Sequence, residues 1–290
     1  MRADKEYFRF NFGTFNVRGL SCEIKQNQSV EDFDWYKLDI LCVQETKIKN
    51  GGDWTIQGHH VLLYETECRH YGNGFIIHKN LEPKVLRTWK ISDRLCVLQI
   101  SLDYGNAQNK GKVKSLTIIN LYAPTTALTK SNPDELNKFY NDLQTLIDSL
   151  PNNTLIIFAG DFNSKVGKRS GEESYLGNYS RGFRNENGEN LVDFCEKNKL
   201  FITNTAFNKA ARHITTWVGS RKNNENQIDY IRCKQGQKHL ITNAQSYGGT
   251  KVCSDHKLVK TTYELSKYNI WKQQHGNATT AVRQVETENY

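Results

Sequence analysis

No CxxC pair occurs anywhere in the chain, which removes zinc ribbons and dithiol redox motifs from consideration. The seven cysteines are odd in number and widely spaced. Cys42 and Cys96 fall inside apolar, strand-like runs, where a thiol packs as a small hydrophobe. A reducing, intracellular compartment follows. The opening residues, MRADKEYFRF, contain no apolar stretch of the kind a secretory signal requires. No run approaches the roughly 20 apolar residues that span a bilayer, so no membrane partner is expected. Acidic residues are in deficit, 31 against 39 Lys and Arg, for a net charge of +8. That balance suits a polyanionic partner, nucleic acid first. At 290 residues the chain can bury a substantial core, as one large domain or two small ones.

What is present is a set of short apolar runs that stop at polar residues. FNFGTFN ends at Asn16, DILCVQE at Glu45, SLTIINLY at Tyr122, and TLIIFAGDFN at Asp161 and Asn163. NQIDYI surrounds Asp229, and CSDH carries Asp255 and His256. Runs of this length bounded by turn residues read as buried strands. Layered α/β folds collect ligand groups at strand ends. Strands are predicted over 9–17, 38–44, 60–64, 73–78, 95–102 and 115–121, with a polar segment around 21–37 and a hairpin tip at 104–112. Leu136, Phe139, Leu143, Leu146, Ile147 and Leu150 recur at helical spacing between Pro133 and Pro151, predicting a helix that leads into the Asp161 strand. A long basic loop follows over 164–186, then a helix near 188–199 and five short strands. The strand–helix alternation in both halves suits two facing sheets with helices outside. A globular domain is expected over 1–265 and a polar tail over 266–290.

Hydrolysing a phosphodiester requires neutralised phosphoryl oxygens, an activated water, an in-line geometry and a stabilised leaving oxygen. Glu45 is the first candidate magnesium ligand and Asp255 the second, since Mg²⁺ prefers one or two carboxylates. Asp161 is the candidate water-activating base, with Asn163 two residues on and so on the same side of an extended chain. His256 could present an imidazolium to phosphate, oriented by Asp229. Tyr122 could hydrogen-bond a phosphate oxygen, and Asn16 could hold Glu45 or a phosphate. Each residue alone also fits a plain turn or strand end; their joint order is what carries weight.

The series FNVRGL, CVQETK, NGFIIHKN, INLYAPT, AGDFNSKVG, RNENGENLVDFC, TTW, NQIDYI and SDHKLV, from about residue 8 to 265, resembles the endonuclease/exonuclease/phosphatase superfamily. Within it, the chain resembles the endonuclease domains of non-LTR retrotransposons, in the branch of craniofacial-development-protein-like sequences. The resemblance implies a four-layer α/β sandwich, two mixed sheets face to face flanked by helices. It implies a Mg²⁺-dependent DNA endonuclease, with Mn²⁺ able to substitute, that leaves a 3′-hydroxyl and a 5′-phosphate. The family's metal ligand falls on Glu45, its supporting amide on Asn16 and its phosphate-contacting tyrosine on Tyr122. Its water-positioning pair falls on Asp161 and Asn163, its imidazole on His256 with Asp229 behind it, and its final acidic residue on Asp255. Arg184 and Asn187 resemble groups near the scissile strand, and Trp217 one of the aromatics that clamp a flipped sugar.

Two departures bear on substrate. Arg18 stands where abasic-site repair relatives carry an acidic residue, and Asn226 where a second aromatic is expected, which argues against a dedicated abasic-repair role. Lys165, Lys168, Arg169, Arg181 and Arg184 of the long loop suit phosphates flanking the cut. The partner expected is therefore DNA and the compartment the nucleus, with no small-molecule cofactor. The competing readings are a superfamily phosphatase or RNA nuclease, and a domesticated, non-catalytic DNA-binding protein. A polymerase [FY]xDD signature is missing, so the chain reads as a solo or truncated endonuclease.

Overall fold

The computed structural model describes residues 7–102, 115–152, 154–221 and 224–266. The predicted hairpin tip at 104–112 and the tail beyond 266 lie outside the described residues. The chain runs β1 (Tyr7–Asn16), α1 (Glu23–Trp35), β2 (Ile40–Gln44), β3 (Gly52–Ile56), β4 (His59–Leu63), β5 (Asn73–Ile77), β6 (Val85–Ser92), β7 (Leu95–Ser101) and β8 (Ser115–Tyr122). Then come α2 (Thr126–Ser131), α3 (Pro133–Ser149), β9 (Thr154–Asp161), α4 (Glu186–Lys197), β10 (Leu200–Ile202), β11 (Trp217–Val218), β12 (Glu225–Asn226), β13 (Asp229–Lys234), β14 (Ile241–Tyr247) and β15 (Leu258–Ser266).

Two sheets form, one in the order β14-β15-β1-β2-β5-β4-β3 and one in the order β10-β13-β9-β8-β7-β6. Both are mixed, because β1 runs parallel to β2 and β8 parallel to β9 while the other pairs are antiparallel. Each parallel pair is joined through helix, as such crossovers demand. Period-two alternation sorts the side chains into layers. Phe10, Phe12, Ile40 and Cys42 of the first sheet meet Leu116, Ile118, Leu155, Ile157 and Ile231 of the second. The alternate residues Ile119, Leu121, Ile156 and Phe158 pack outward on α3 and α4. On the other side Phe15, Leu41 and Val43 pack outward with Val30 and Phe33 of α1. The result is the expected four-layer sandwich.

Along the inter-sheet faces, composition changes toward one end. Continuing β1, β2 and β8 by the same parity replaces Phe12, Cys42 and Ile118 with Thr14, Gln44 and Asn120, all fully buried. Gln44 Nε2 donates to Asn120 Oδ1 at 2.7 Å and to Thr14 Oγ1 at 3.0 Å. Asn120 Nδ2 donates in turn to the carbonyls of Val43 and Gly74, at 3.0 and 2.7 Å. One further step brings Asn16, Tyr122, Asp161 and Asp229 to the same end. Gly160 makes this possible in β9, since a Cβ there would collide with the carbonyl oxygen of Leu121.

The long helix and the Asp161 strand stand as predicted, whereas the polar segment 21–37, for which the sequence predicts no element, contains α1. Its buried face is Ser29, Val30, Asp32 and Phe33, half of it polar, so it shows no apolar stripe. Asp32 is buried because its carboxylate accepts the backbone N–H groups of Lys251 and Val252 at 2.8 and 3.1 Å. All seven cysteines are free, and Cys42 and Cys96 are buried. No helix among the described residues is long and apolar enough to cross a membrane.

Replacing Asn120 by Ala would orphan several buried polar groups at once. Each such group costs roughly 1–3 kcal/mol, so urea titration of Asn120→Ala is expected to show a loss of about 3 kcal/mol, and a loss within error of zero would mean the network contributes nothing.

Candidate active site

Asp161 ends β9 and Asp229 begins β13, and the two are direct antiparallel partners. Like charges set opposite each other across strands repel. His256 answers that repulsion. Its Nδ1 lies 3.0 Å from both carboxylate oxygens of Asp229, and its Nε2 lies 3.7 Å from Asp161 Oδ2. Burial works against an imidazolium, but the charges of Asp229 and Asp161 outweigh it and push His256 up to about 9. Asp161 is raised well above the usual carboxylate range, first by burial and then by Asp229. A carboxylate tuned upward in this way is a better proton acceptor near neutral pH.

The backbone around the triad is held by small polar groups. Thr216 Oγ1 accepts the N–H groups of Ile228 and Asp229 at 2.9 and 3.0 Å. Ser254 Oγ donates to the Asn16 carbonyl at 2.7 Å and accepts the His256 N–H at 3.1 Å, tying the two segments together. Asn16 Nδ2 donates to Glu45 Oε1 at 2.9 Å and to Asp161 Oδ2 at 3.0 Å, so one amide links the candidate metal ligand to the candidate base.

Glu45 is poised just past β2 with φ +51°, a conformation rare for a residue with a side chain. Burial alone would raise its carboxyl, but hydrogen bonds from Asn16 and Lys47 prevail and hold it below the ordinary Glu range. Lys47 Nζ sits 2.9 Å from Oε2. The Tyr122 hydroxyl also bonds to Glu45. Burial and the nearby charges of Glu45 and Asp161 push this phenol upward, so it remains a protonated donor.

Asn163 differs from the extended geometry expected of it. Its φ is +47°, its N–H bonds back to Asp161 Oδ1 at 2.9 Å in an Asx turn, and its Nδ2 donates to the Ala123 carbonyl at 2.9 Å. The turn therefore fixes one oxygen of Asp161 while keeping Asn163 in the cleft wall.

A cleft of about 440 Å³ is lined by Glu45, Tyr122, Asp161, Asn163, Trp217, Asp255 and His256, together with Arg18, Lys165, Asn185 and Asn226. Asp255 Oδ2 receives Arg18 Nη1 at 2.9 Å and Trp217 Nε1 at 3.0 Å. Its Oδ1 is buried and accepts no hydrogen bond, although His256 Nε2 lies 3.9 Å away. An ionised Glu45 and this orphaned oxygen suit a hard cation that takes oxygen ligands. Asp161, Asp229 and His256 also offer atoms within 4.8 Å of one another. There the imidazole already bridges two carboxylates, which makes that cluster an ion triad and leaves Glu45 the better cation ligand. Trp217 pairs directly with Asn226, so the wall has one aromatic and one amide.

Arg184 and Asn187 stand outside the cleft lining. The Arg184 guanidinium is taken up by Glu173 at 2.7 and 2.9 Å and by the Val166 carbonyl at 2.7 Å. Asn187 is buried and donates to the carbonyls of Pro124 and Asn163. Arg181 is likewise paired, to Glu225 and Thr215 at 2.9 Å each. Both arginines hold the 162–185 loop in shape, and of the loop's basic residues Lys165 is the one that lines the cleft. Thr216, Ser254 and Lys47 were not singled out from sequence, although each lies within a motif quoted above.

Two facing mixed sheets with an acidic, histidine-containing cleft at one end define the sandwich fold of the DNase I-like nucleases and phosphatases. Over residues 116–260, half its length, the chain matches the family described as endonuclease-reverse transcriptase, and it belongs to that family. It is 30% identical over 266 residues to craniofacial development protein 2 of Tragulus javanicus, covering 91% of this chain and 44% of that protein. The chain thus spans less than half the length of this curated relative. Among solved structures it is similar to the APE2 catalytic domain of Xenopus laevis, with TM-score 0.66, 16% identity and coverage of 89% and 93% of the two chains. It is also similar to the endonuclease domain of TRAS1, a telomere-specific non-LTR retrotransposon, with TM-score 0.59, 13% identity and coverage of 88% and 98%.

Asp229 is the larger of the charges that hold His256 protonated against burial, with Asp161 behind it. The His256 titration midpoint in Asp229→Asn, followed by NMR of the imidazole C–H signals, is therefore expected to fall from about 9 toward the ordinary histidine range. A midpoint that does not move would assign the shift elsewhere.

Proposed function

We propose that this chain is a Mg²⁺-dependent DNA endonuclease of the retrotransposon type, acting in the nucleus and leaving a 3′-hydroxyl and a 5′-phosphate. The observation that carries this reading is the single amide of Asn16, which joins Glu45 to Asp161 at 2.9 and 3.0 Å beside the His256 triad. A cation ligand, a proton acceptor and a fixed positive charge then share one cleft, as phosphodiester hydrolysis requires.

The divalent ion, when held by Glu45 with Asp255 beside it, supplies positive charge to the phosphoryl and leaving oxygens. Asp161 accepts a proton from the attacking water, its carboxylate steadied by Asn16 and by the Asn163 N–H. The His256 imidazolium faces the negative charge that builds on the phosphoryl group, and Asp229 keeps it protonated and oriented. Tyr122, still a phenol at neutral pH, has one proton to donate, held by Glu45 in the free protein and free to turn to a phosphate oxygen when substrate enters. As the water oxygen bonds to phosphorus, the phosphorus–oxygen bond to the 3′-oxygen breaks, and the leaving oxygen takes a proton from solvent to become the 3′-hydroxyl. Arg18 bound to Asp255 and the amide of Asn226 give the cleft a polar wall, which suits intact DNA better than a base-less sugar.

Purified protein is expected to relax supercoiled plasmid by nicking with Mg²⁺ or Mn²⁺, and to stop when EDTA is added. Asp161→Ala and His256→Ala should each lower the nicking rate by several powers of ten, in keeping with the roughly 10²–10⁴-fold lost with single acid–base or charge-stabilising groups. DNA binding, read by fluorescence anisotropy, should persist in both. Plasmid left intact by the wild type at all Mg²⁺ concentrations, with DNA still bound, would favour the non-catalytic binding reading. Cleavage of oligo(A) or a phosphoinositide in preference to DNA would favour the other superfamily activities.

The loop makes a separate claim. Lys165→Ala should reduce the salt dependence of DNA binding by about one phosphate contact, whereas Arg184→Ala should lower stability with the salt slope unchanged. The reverse pattern would mean that Arg184 releases Glu173 to reach DNA.

A further inference from the structure

Phe183 is 92% exposed, more than any other large apolar side chain among the described residues. It does not stand on a slack loop. On one side Arg181 is tied to the β11–β12 hairpin, through its guanidinium to Glu225 and Thr215 and through its N–H to Gln227 Oε1 at 3.2 Å. On the other side Arg184 is clamped by Glu173 and the Val166 carbonyl. Asn185 follows, exchanging backbone and side-chain hydrogen bonds with Lys165. Gly182, at φ +79° with nothing near the place of a Cβ, makes the turn that throws the next side chain outward. The phenyl ring is therefore presented on a fixed mount.

That mount joins two parts of the cleft wall. The hairpin bound by Arg181 carries Trp217 and Asn226, and Asn185, two residues past Phe183, lines the cleft with Lys165. Two residues of chain reach at most about 7 Å, so the backbone that carries this exposed ring is within that reach of cleft-lining Asn185. An exposed aromatic beside a lysine-bearing cleft, in a chain of net charge +8, fits a base of a nucleic acid strand, because every base offers a flat face and the phosphates answer the charge. Apolar side chains set between base steps unstack and kink a duplex.

We propose that Phe183 is a wedge that stacks on a base flanking the cut phosphate in double-stranded DNA, and so makes the reaction depend on how easily that base step opens. This rests on the nuclease reading above and adds a specificity-determining residue to it. Because the wedge must unstack a paired step, its contribution is largest on a fully paired duplex. It shrinks where a mismatch has already loosened the step.

The test uses the full chain with Phe183→Ala and Phe183→Trp, on matched duplexes that differ by one mismatch next to the mapped cut. Phe183→Ala should lower kcat/KM about tenfold or more on the paired duplex and markedly less on the mismatched one, while Phe183→Trp should retain both. In parallel, 2-aminopurine scanned along the bound duplex should change fluorescence at one step when wild type binds in Ca²⁺ and at none with Phe183→Ala. Equal losses on the two duplexes, no loss at all, or the same fluorescence change with the alanine variant would overturn the wedge. So would a concentration-dependent dimer that Phe183→Ala dissolves, since the ring would then be covered by a second copy. The fluorescence arm needs binding only. A wild type that binds and perturbs the probe without nicking would count against the nuclease reading and leave the wedge standing.

Discussion

Two carboxylates held side by side in a dry place dominate this molecule. Asp161 and Asp229 are register partners on β9 and β13, each at most 1% exposed, and neither can be neutralised by solvent. Buried charge is tolerated only when paired and hydrogen-bonded. The His256 imidazole supplies the pairing, and everything around it follows from the need to deliver a ring to that point. The segment before β15 must reach across to Trp217, where it forms an isolated bridge. Ser254 must hold Asn16 and His256 together, and Thr216 must hold the start of β13. Remove the ring and two like charges remain facing each other.

The sandwich is built to place this charge cluster at an edge of the core and to keep water from its back. The same inward-facing parity that packs Phe12, Ile118 and Ile157 in the middle carries Thr14, Gln44 and Asn120 one step further, and the active groups after that. A direct junction of aliphatic core with the carboxylates would set those charges against apolar surface, which is costly. The Thr14–Gln44–Asn120 layer grades one environment into the other and locks the two sheets in register as it does so. Precision at the cleft therefore comes from strand pairing, which is stiffer than loop conformation. The loop-borne groups, Glu45 and Asn163, are instead fixed by left-handed backbone and by hydrogen bonds to Asn16, Asp161 and Ala123.

Much of this was legible in the chain alone because strand parity is a local property. TLIIFAGD is long enough to declare its period, and its last residue had to share a face with Ile157 and Ala159. The helix between Pro133 and Pro151 was equally plain, since four of its apolar positions are buried on one side. Helix α1 was not legible, because half its buried face is polar and is justified only by the distant N–H groups of Lys251 and Val252. The edge strand β6, with Leu86 and Ile91 exposed, shows no alternation to find. Spacing placed Asn163 correctly in the cleft and misjudged its backbone, since an Asx turn and an extended strand end look alike in sequence. The destination of an arginine is the hardest to read. Nothing local to Arg184 says that Glu173 will claim it.

That last point changes how the charge of this protein should be weighed. A net charge of +8 suggests a broadly attractive surface, yet around the cleft the cations are largely spoken for: Arg18 by Asp255, Lys47 by Glu45, Arg181 by Glu225 and Arg184 by Glu173. Such pairs contribute little field at a Debye length of about 10 Å. What reaches an incoming strand at the rim is then a short list of unpaired donors and apolar surface, with Lys165 and Phe183 prominent among the described residues. On the proposed nuclease reading, attraction from a distance would belong to the remainder of the surface, and discrimination close to the cut to shape and stacking. Such a nuclease would bind DNA through general charge and choose its phosphate by how the duplex yields, because the cations nearest the carboxylates are already engaged in holding them in place.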